Sequence, residues 1–377
     1  MDDINLWAAL GFAFAAYAVV GNDALQTLGT FINSNGRFHW SILFGFAATV
    51  LVVTFTYGWI VNDGDPSFGR LSNTDKYPPI ESVEWFHVAP ALGLLLMTRL
   101  GVPVSTSFMV LAIFATMGGI GKMIAKSLVG YGLAFAVGGA LYLVLVKTVE
   151  RHFRQNQESE FKPRWVVLQW LSTTWLWSVW LMQDFANIFV FLPRELGPVP
   201  AFGGLAIILV MLALTFANRG GPVQRVLRSK SSVSDIRSAT IIDFTYAGLL
   251  YYFKEVSEIP MSTTWVFLGL IAGREYAFAA LERHRTMLET ARITLTDIAK
   301  AYIGLVVSID MARGLPAMVQ DQPLWTDPKG MWFFIGANVL VVPVALFLWR
   351  HTRNHSILLV ASLAAGAALF FASLPLG

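Results

Sequence analysis

Long apolar stretches separated by short polar ones dominate the chain. Apolar runs occupy 6–20, 42–60, 128–146, 203–216, 333–348 and 357–371, at or somewhat below the ~20 residues a helix needs to cross a bilayer. Two more, 88–97 and 108–114, are too short to cross alone. Between them lies Gly101-Val102-Pro103-Val104-Ser105-Thr106-Ser107. An apolar segment interrupted in this way predicts a broken membrane helix or a re-entrant hairpin, because non-helical backbone at membrane depth survives only inside protein or beside a wet cavity. Pro103 suits the start of a new helix, where its missing N–H costs nothing. Ser105, Thr106 and Ser107 then set free amides and hydroxyls at a positive helix end, which suits an anion. A second copy, Ile259-Pro260-Met261-Ser262-Thr263-Thr264, lies in the other half.

The rest of the chain falls into place around these two breaks. A first helix covers about 4–31 and a span 38–60, followed by a polar loop at 62–79. A hairpin follows at 81–119 and a span at 122–147. These elements make up a first repeat, 1–149, joined by a charged linker at 150–164 to a second, 165–317. In the second repeat a Trp-rich span, 165–193, precedes a span at 201–217, a basic loop at 218–237 and a hairpin at 238–278. The charged stretch 281–296 reads as a helix lying on the membrane surface, and 298–312 as a span. Two C-terminal spans occupy 318–377.

Composition agrees: 55% of the 377 residues are hydrophobic and 14% charged, against about a quarter charged in soluble domains. Without cysteines, disulfides and thiolate metal sites are excluded. The pI of about 9.1 is no nucleic-acid signal, because the basic residues cluster between spans. With each hairpin returning to its side of entry, one face collects Arg37, 147–164, 219–237, 283–300, Arg350 and Arg353. That face is expected to be cytoplasmic. Both termini then lie on the extracytoplasmic side of an inner or plasma membrane. The acidic start Asp2-Asp3 makes the first helix part of the mature protein rather than a cleaved signal. The hairpins enter from opposite faces, so the repeats are inverted.

Internal matches carry the repeat assignment. Asn22-Asp23-Ala24-Leu25-Gln26 matches Gln183-Asp184-Phe185-Ala186-Asn187, and Pro103 to Ser107 matches Pro260 to Thr264. Ile124-Ala125-Lys126 with Gly130 matches Ile298-Ala299-Lys300 with Gly304. A carboxylate inside an apolar helix is costly and marks a functional candidate. Asp23 with Asn22 and Gln26, and Asp184 with Gln183 and Asn187, offer hard oxygen ligands within one turn, suited to Na⁺ or, at the carboxylate, to a proton. The alternative is a packing hydrogen bond between helices. The hydroxyl clusters can serve as helix N-caps, and two inverted clusters would also aim two positive helix ends at one oxyanion, phosphate or sulfate. Auxiliary candidates are Arg99 near the first tip, Glu84 and Asp243 at the hairpin openings, and Lys126 and Lys300, which recur between the halves. Trp165, Trp170, Trp175, Trp177 and Trp180 read as interfacial anchors.

These motifs resemble those of the inorganic phosphate transporter (PiT) family, whose members carry a Gly-Ala-Asn-Asp type motif in the first helix of each half and a Pro-x-Ser-Thr-Thr-His type motif at each hairpin tip. Gly21-Asn22-Asp23 and Pro103 to Ser107 look like the first pair, Gln183-Asp184 with Asn187 and Pro260 to Thr264 like the second. The resemblance implies a dimeric inverted-repeat symporter with Na⁺ or H⁺ at the Asp helices and phosphate at the tips. The motif-ending His is replaced by Phe108 and Trp265, and Leu181-Met182-Gln183 stands for Gly-Ala-Asn. Sulfate permeases also occur among relatives of that family.

The sequence therefore predicts an all-α integral membrane protein, an inverted-repeat secondary transporter with two re-entrant helical hairpins and broken helices. It needs no cofactor beyond a coupling cation, and its partners are a small inorganic anion, lipid and a second copy of itself. No Gly-x-x-x-x-Gly-Lys-Ser/Thr loop is present to power transport with nucleotide. A membrane-embedded metal enzyme with Asp23 and Asp184 as ligands, and an inactive scaffold subunit, are the competing classes.

Overall fold

The computed structural model describes residues 4–99, 104–145, 163–218, 236–256, 260–282, 286–320 and 328–352. All regular structure among them is helical: α1 (Leu6–Ser34), α2 (Trp40–Val61), α3 (Trp85–Arg99), a π-helical turn (Ser107–Leu111) running into a 3-10 turn (Ala112–Phe114), α4 (Met117–Leu145), α5 (Pro163–Phe189), α6 (Pro198–Ala217), α7 (Ile236–Val256), α8 (Thr263–Glu282), α9 (Met287–Gln320) and α10 (Pro328–Thr352). Six of these helices, α1, α2, α4, α6, α9 and α10, are long and apolar enough to cross a membrane. The chain is an all-α integral membrane protein.

Polar and apolar side chains are distributed as a bilayer demands. Val53, Tyr57, Val129, Val210 and Val339 stand exposed on the outer helices, while Asp23, Thr27, Gln169, Thr173, Asp184 and Asn187 are buried. Helix α5 falls short of the hydropathy of a span because its Gln, Ser, Thr and Asp residues face inward. It forms the centre with α1, packed on α1, α2 and α7. Its tryptophans are correspondingly internal: Trp177 and Trp180 are buried and stack at 4.8 Å, and the Trp177 indole donates to the Ala47 carbonyl at 3.0 Å. For these two, core packing replaces the expected interfacial role.

Packing between elements is paired. Helix α1 lies on α3 as α5 lies on α7; α1 contacts α6 as α5 contacts α2; and α8 packs on α4 as the π/3-10 segment packs on α9. The α4–α8 crossing is very close. A Cβ on Gly269 would stand 2.3 Å from the Tyr131 carbonyl oxygen, and one on Gly273 2.1 Å from that of Phe135. Small residues allow this backbone approach, a common device where lipid supplies no hydrophobic drive.

Two sequence expectations are corrected. The first Asp-bearing helix, expected to be broken, is continuous, running through Gly21-Asn22-Asp23 for 29 residues, and α5 likewise runs through Asp184. Each Asp there makes side-chain bonds without freeing backbone. The separate surface helix at 281–296 does not form either. Residues 281 and 282 end α8, and a capping box starts α9: the Glu289 amide donates to Thr286 Oγ1 (3.2 Å) while the Glu289 carboxylate accepts from the Thr286 amide (3.0 Å). This reciprocal cap starts a helix, and nothing interrupts it for 34 residues. At about 1.5 Å per residue α9 spans roughly 50 Å, so the charged first turns extend one spanning helix beyond the hydrocarbon. The hairpin turning points 101–103 and 258–259, the linker 150–162, most of the basic loop at 219–235 and the last span lie outside the described residues.

The loop after α2 is built inward. Asp63, Gly64, Phe68 and Gly69 adopt positive φ of 51°, 95°, 56° and 70°, and the Asp65 carboxylate accepts from the amides of Ser67 (2.7 Å) and Gly69 (3.0 Å). These tight turns push Phe68 onto Gly58, where a Cβ would lie 2.2 Å from the ring, and bury Arg70 and Tyr77.

Candidate functional site

The site is assembled where α1 and α5 meet the two hydroxyl segments. Asp23 sits in mid-α1, and its Oδ1 accepts from the Asn22 amide at 2.8 Å. The Thr106 hydroxyl donates to the other carboxylate oxygen. Asn22 also reaches the Val104 carbonyl (3.3 Å), tying α1 to the first tip. From α5, the Asn187 amide donates to Thr106 Oγ1 (3.2 Å) and to the Asp184 carboxylate. Thr106 and Asn187 thus bridge two buried carboxylates that act on one another electrostatically. Two like charges so placed favour a cation or a proton between them.

The second motif is less satisfied than the first. Gln183 donates its amide to the Leu250 carbonyl on α7 (2.9 Å), but Gln183 Oε1, Asp184 Oδ2 and Asn187 Oδ1 are buried without any hydrogen bond. Thr263 sits beside Asp184 but outside hydrogen-bond geometry with that Oδ2. Buried polar groups rarely lack a partner, and Asp184 Oδ2 with Asn187 Oδ1, on side chains joined by a hydrogen bond, could hold a hard cation. Among the described residues no cluster of three His, Cys, Asp or Glu offers a transition-metal site.

The two tips meet. The Ser107 hydroxyl donates to the Met261 carbonyl at 3.0 Å, and the Ser262 amide donates to Ser127 Oγ on α4 at 2.9 Å. Ser105 and Ser262 act alike as local caps, accepting from the amides of Phe108 (3.3 Å) and Trp265 (3.2 Å) three residues on. Thr106, Ser107, Thr263 and Thr264 are buried beside them. Where the resembled family has His, the Phe108 and Trp265 rings pack edge to face at 6.0 Å. An aromatic contact thus joins the two hydroxyl segments.

The auxiliary candidates separate. Glu84 is exposed ahead of α3, its amide donating to His87 Nδ1 at 2.9 Å, and takes no part in the site. Asp243 does not open its hairpin. It lies inside α7, fully buried, and accepts from Thr30 (2.5 Å), Thr173 (2.6 Å) and Gln169 (3.1 Å). Lys126 and Lys300 are half-buried on α4 and α9. The side chains of Gln26 and Arg99 lie outside the described residues.

Sequence reasoning missed Arg70. Its side chain is 3% exposed, its Nε donates to the Met182 carbonyl at 3.3 Å, and its charge acts on Asp184 and Lys126. Burial pushes the neighbouring Tyr77 phenol above its ordinary range, against the pull of Arg70. The signal was the Asp-Gly-Asp-Pro run before it, which marks a folded turn rather than a slack connection. No family model, curated protein or solved structure matches the chain.

Proposed function

We propose that this protein is a secondary transporter of a small inorganic oxyanion, phosphate first and sulfate as the alternative, coupled to Na⁺ or H⁺. The reading rests above all on one observation: two hydroxyl segments, 157 residues apart, meet over a pair of buried carboxylates. The matched packing of α1 on α3 and α5 on α7, of α1 on α6 and α5 on α2, and of α4 on α8 and α9 on the π/3-10 segment supports an inverted-repeat core of the PiT type. In that core α3 with the π/3-10 segment, and α7 with α8, act as re-entrant hairpins.

A coupling route follows from the hydrogen bonds. Thr106 gives its hydroxyl to Asp23, so it is committed to a carboxylate. A cation or proton at Asp23 and Asp184 takes over those oxygens and releases the Thr106 hydroxyl and the Asn187 amide as donors. An oxyanion at the tips then gains these donors together with the helix-end amides after Ser105 and Ser262. Each ion raises the affinity for the other, as thermodynamic linkage requires. Arg70 supplies fixed positive charge at the same centre. Alternating access moves each hairpin against its partner helix, α8 on α4 and the π/3-10 segment on α9. The resemblance adds a homodimer, which cross-linking in lipid checks.

The direct test is uptake of labelled phosphate and sulfate into proteoliposomes with and without Na⁺ and pH gradients. Accumulation of either, driven by one of the gradients, is expected.

A further inference from the structure

A second buried carboxylate site lies outside this centre, between α4, α9 and α10. A cavity of about 230 Å³ opens there, apolar along Ile120, Ile124, Val306 and Phe334 and polar at Asp310 and Asn338. Asp310 is 5% and Asn338 3% exposed. The Asn338 amide donates to Asp310 Oδ1 at 3.1 Å. The other two oxygens of the pair, Asp310 Oδ2 and Asn338 Oδ1, are buried with no hydrogen bond. Both are acceptors, so neither can satisfy the other while Asp310 is ionised.

We infer that Asp310 is an exchangeable proton site, its proton shared with the side-chain amide of Asn338. One proton placed on Oδ2 turns the carboxylate into an acid whose O–H donates to Asn338 Oδ1. The existing N–H···O bond closes the other side of the ring. A single proton thereby removes two orphaned acceptors and the net charge from an apolar cavity, where an ionised carboxylate is poorly solvated. On release the O–H bond breaks, its electron pair stays on Oδ2, and water in the cavity carries the proton away.

Of the charged and titratable groups on the surrounding elements, Tyr302 acts on Asp310 electrostatically and none hydrogen-bonds to it among the described residues. Helix α4 carries Lys122 and Lys126, α9 Tyr302 and Arg313, α3 His87, and α8 Arg274 bonded to Glu275 at 3.0 Å. Tyr302 gives its hydroxyl to the Ala337 carbonyl at 2.6 Å. Arg350 and His351 stand about 18 Å or more along α10 from Asn338. Among the described residues Asn338 is the hydrogen-bond partner of Asp310.

Helix α9, which carries Asp310, also packs on the first hairpin through its other faces. Ser308, two residues before Asp310, lies 3.7 Å from Met109 Sδ in the π-helical turn, and a Cβ on Gly93 of α3 would stand 3.0 Å from Met311 Sδ. Proton uptake at Asp310 therefore acts on the same helix that packs against this hairpin. Its use as the coupling site rests on the transport reading; the proton site itself does not.

Infrared spectroscopy of the full-length protein in lipid, titrated with and without Na⁺, tests the site. At neutral pH a protonated-carboxyl C=O band is expected that Asp310→Asn removes and Asn338→Val shifts to higher frequency. The band persists when Na⁺ replaces a large organic cation. Spectra of folded Asp310→Asn that lose no such band, or a wild-type band abolished by Na⁺, overturn the proposal. So does an unshifted band in Asn338→Val, which retains Asp310 and keeps the test available should Asp310→Asn fold poorly. In proteoliposomes Asp310→Asn is expected to lose the stimulation of uptake by a pH gradient. If wild type carries neither phosphate nor sulfate, the transport reading fails while the infrared result still decides the site.

Discussion

Asp184 and Asp243 are both fully buried carboxylates, on helices α5 and α7 that pack against each other, yet their surroundings differ in kind. Asp243 is closed. Three donors, from Thr30, Thr173 and Gln169, fill its oxygens; Gln169 in turn accepts from Asn35 at 2.8 Å, and Trp170 donates to Asn35 at 3.1 Å. Asp184 is open, with orphaned oxygens on itself, Gln183 and Asn187 and a second carboxylate close by. A saturated polar network fixes helices in register, whereas an unsaturated one is poised to take an ion. On the proposed function Asp243 is the structural residue and Asp184 the ion-binding one, although both are Asp residues within helices.

Four variants can break that assignment, and the largest effect belongs to the open site. Asp184→Asn and Asp23→Asn should each reduce cation-driven uptake by more than the ~10–100-fold that outer-shell partners of a metal are worth. Their thermal stability should stay near wild type, since the amide keeps the shape and removes charge repulsion. Unchanged coupling in both would return the pair to a packing role. Asp243→Ala should do the reverse. It strands three buried donors and lowers stability by about 2–4 kcal/mol, read as an earlier thermal transition in detergent, while any protein that folds keeps its cation dependence. A change of coupling ion in folded Asp243→Ala would erase the distinction. The smallest effect is expected from Thr173→Val, which removes one of those three donors at about 1 kcal/mol and should leave transport kinetics unaltered.

What could be read from the chain follows from where polar residues interrupt apolar ones. Asn22-Asp23, Gln183-Asp184 and the two Ser/Thr clusters stood out for that reason, and they do come together. The α9 start was equally legible, because Thr286-Met287-Leu288-Glu289 is a capping box in plain sequence; its run of charge pointed instead to a surface helix. Asp310 was passed over inside the expected span 298–312, although an Asp in an apolar helix there carries the same signal as Asp23. Other features could not be read along one segment. Gly269 and Gly273 matter because Tyr131 and Phe135 approach from α4, and Arg70 reaches the centre because its loop folds back onto Met182. Those are long-range contacts, and no local pattern announces them. The pairing of Glu84 with Asp243 failed for a related reason: their places near the hairpin starts look alike, but only Asp243 enters a helix that packs on α1 and α5.

The central claim is that the two carboxylates and the two hydroxyl segments form one site for a cation and an oxyanion. Labelled phosphate uptake into proteoliposomes under imposed Na⁺ and pH gradients, with sulfate run as substrate and competitor, addresses it most directly. The account predicts accumulation of phosphate, or of sulfate, that requires one of the gradients and disappears in Asp184→Asn. Failure to accumulate either anion under any gradient, by protein shown to be folded and inserted, would contradict it.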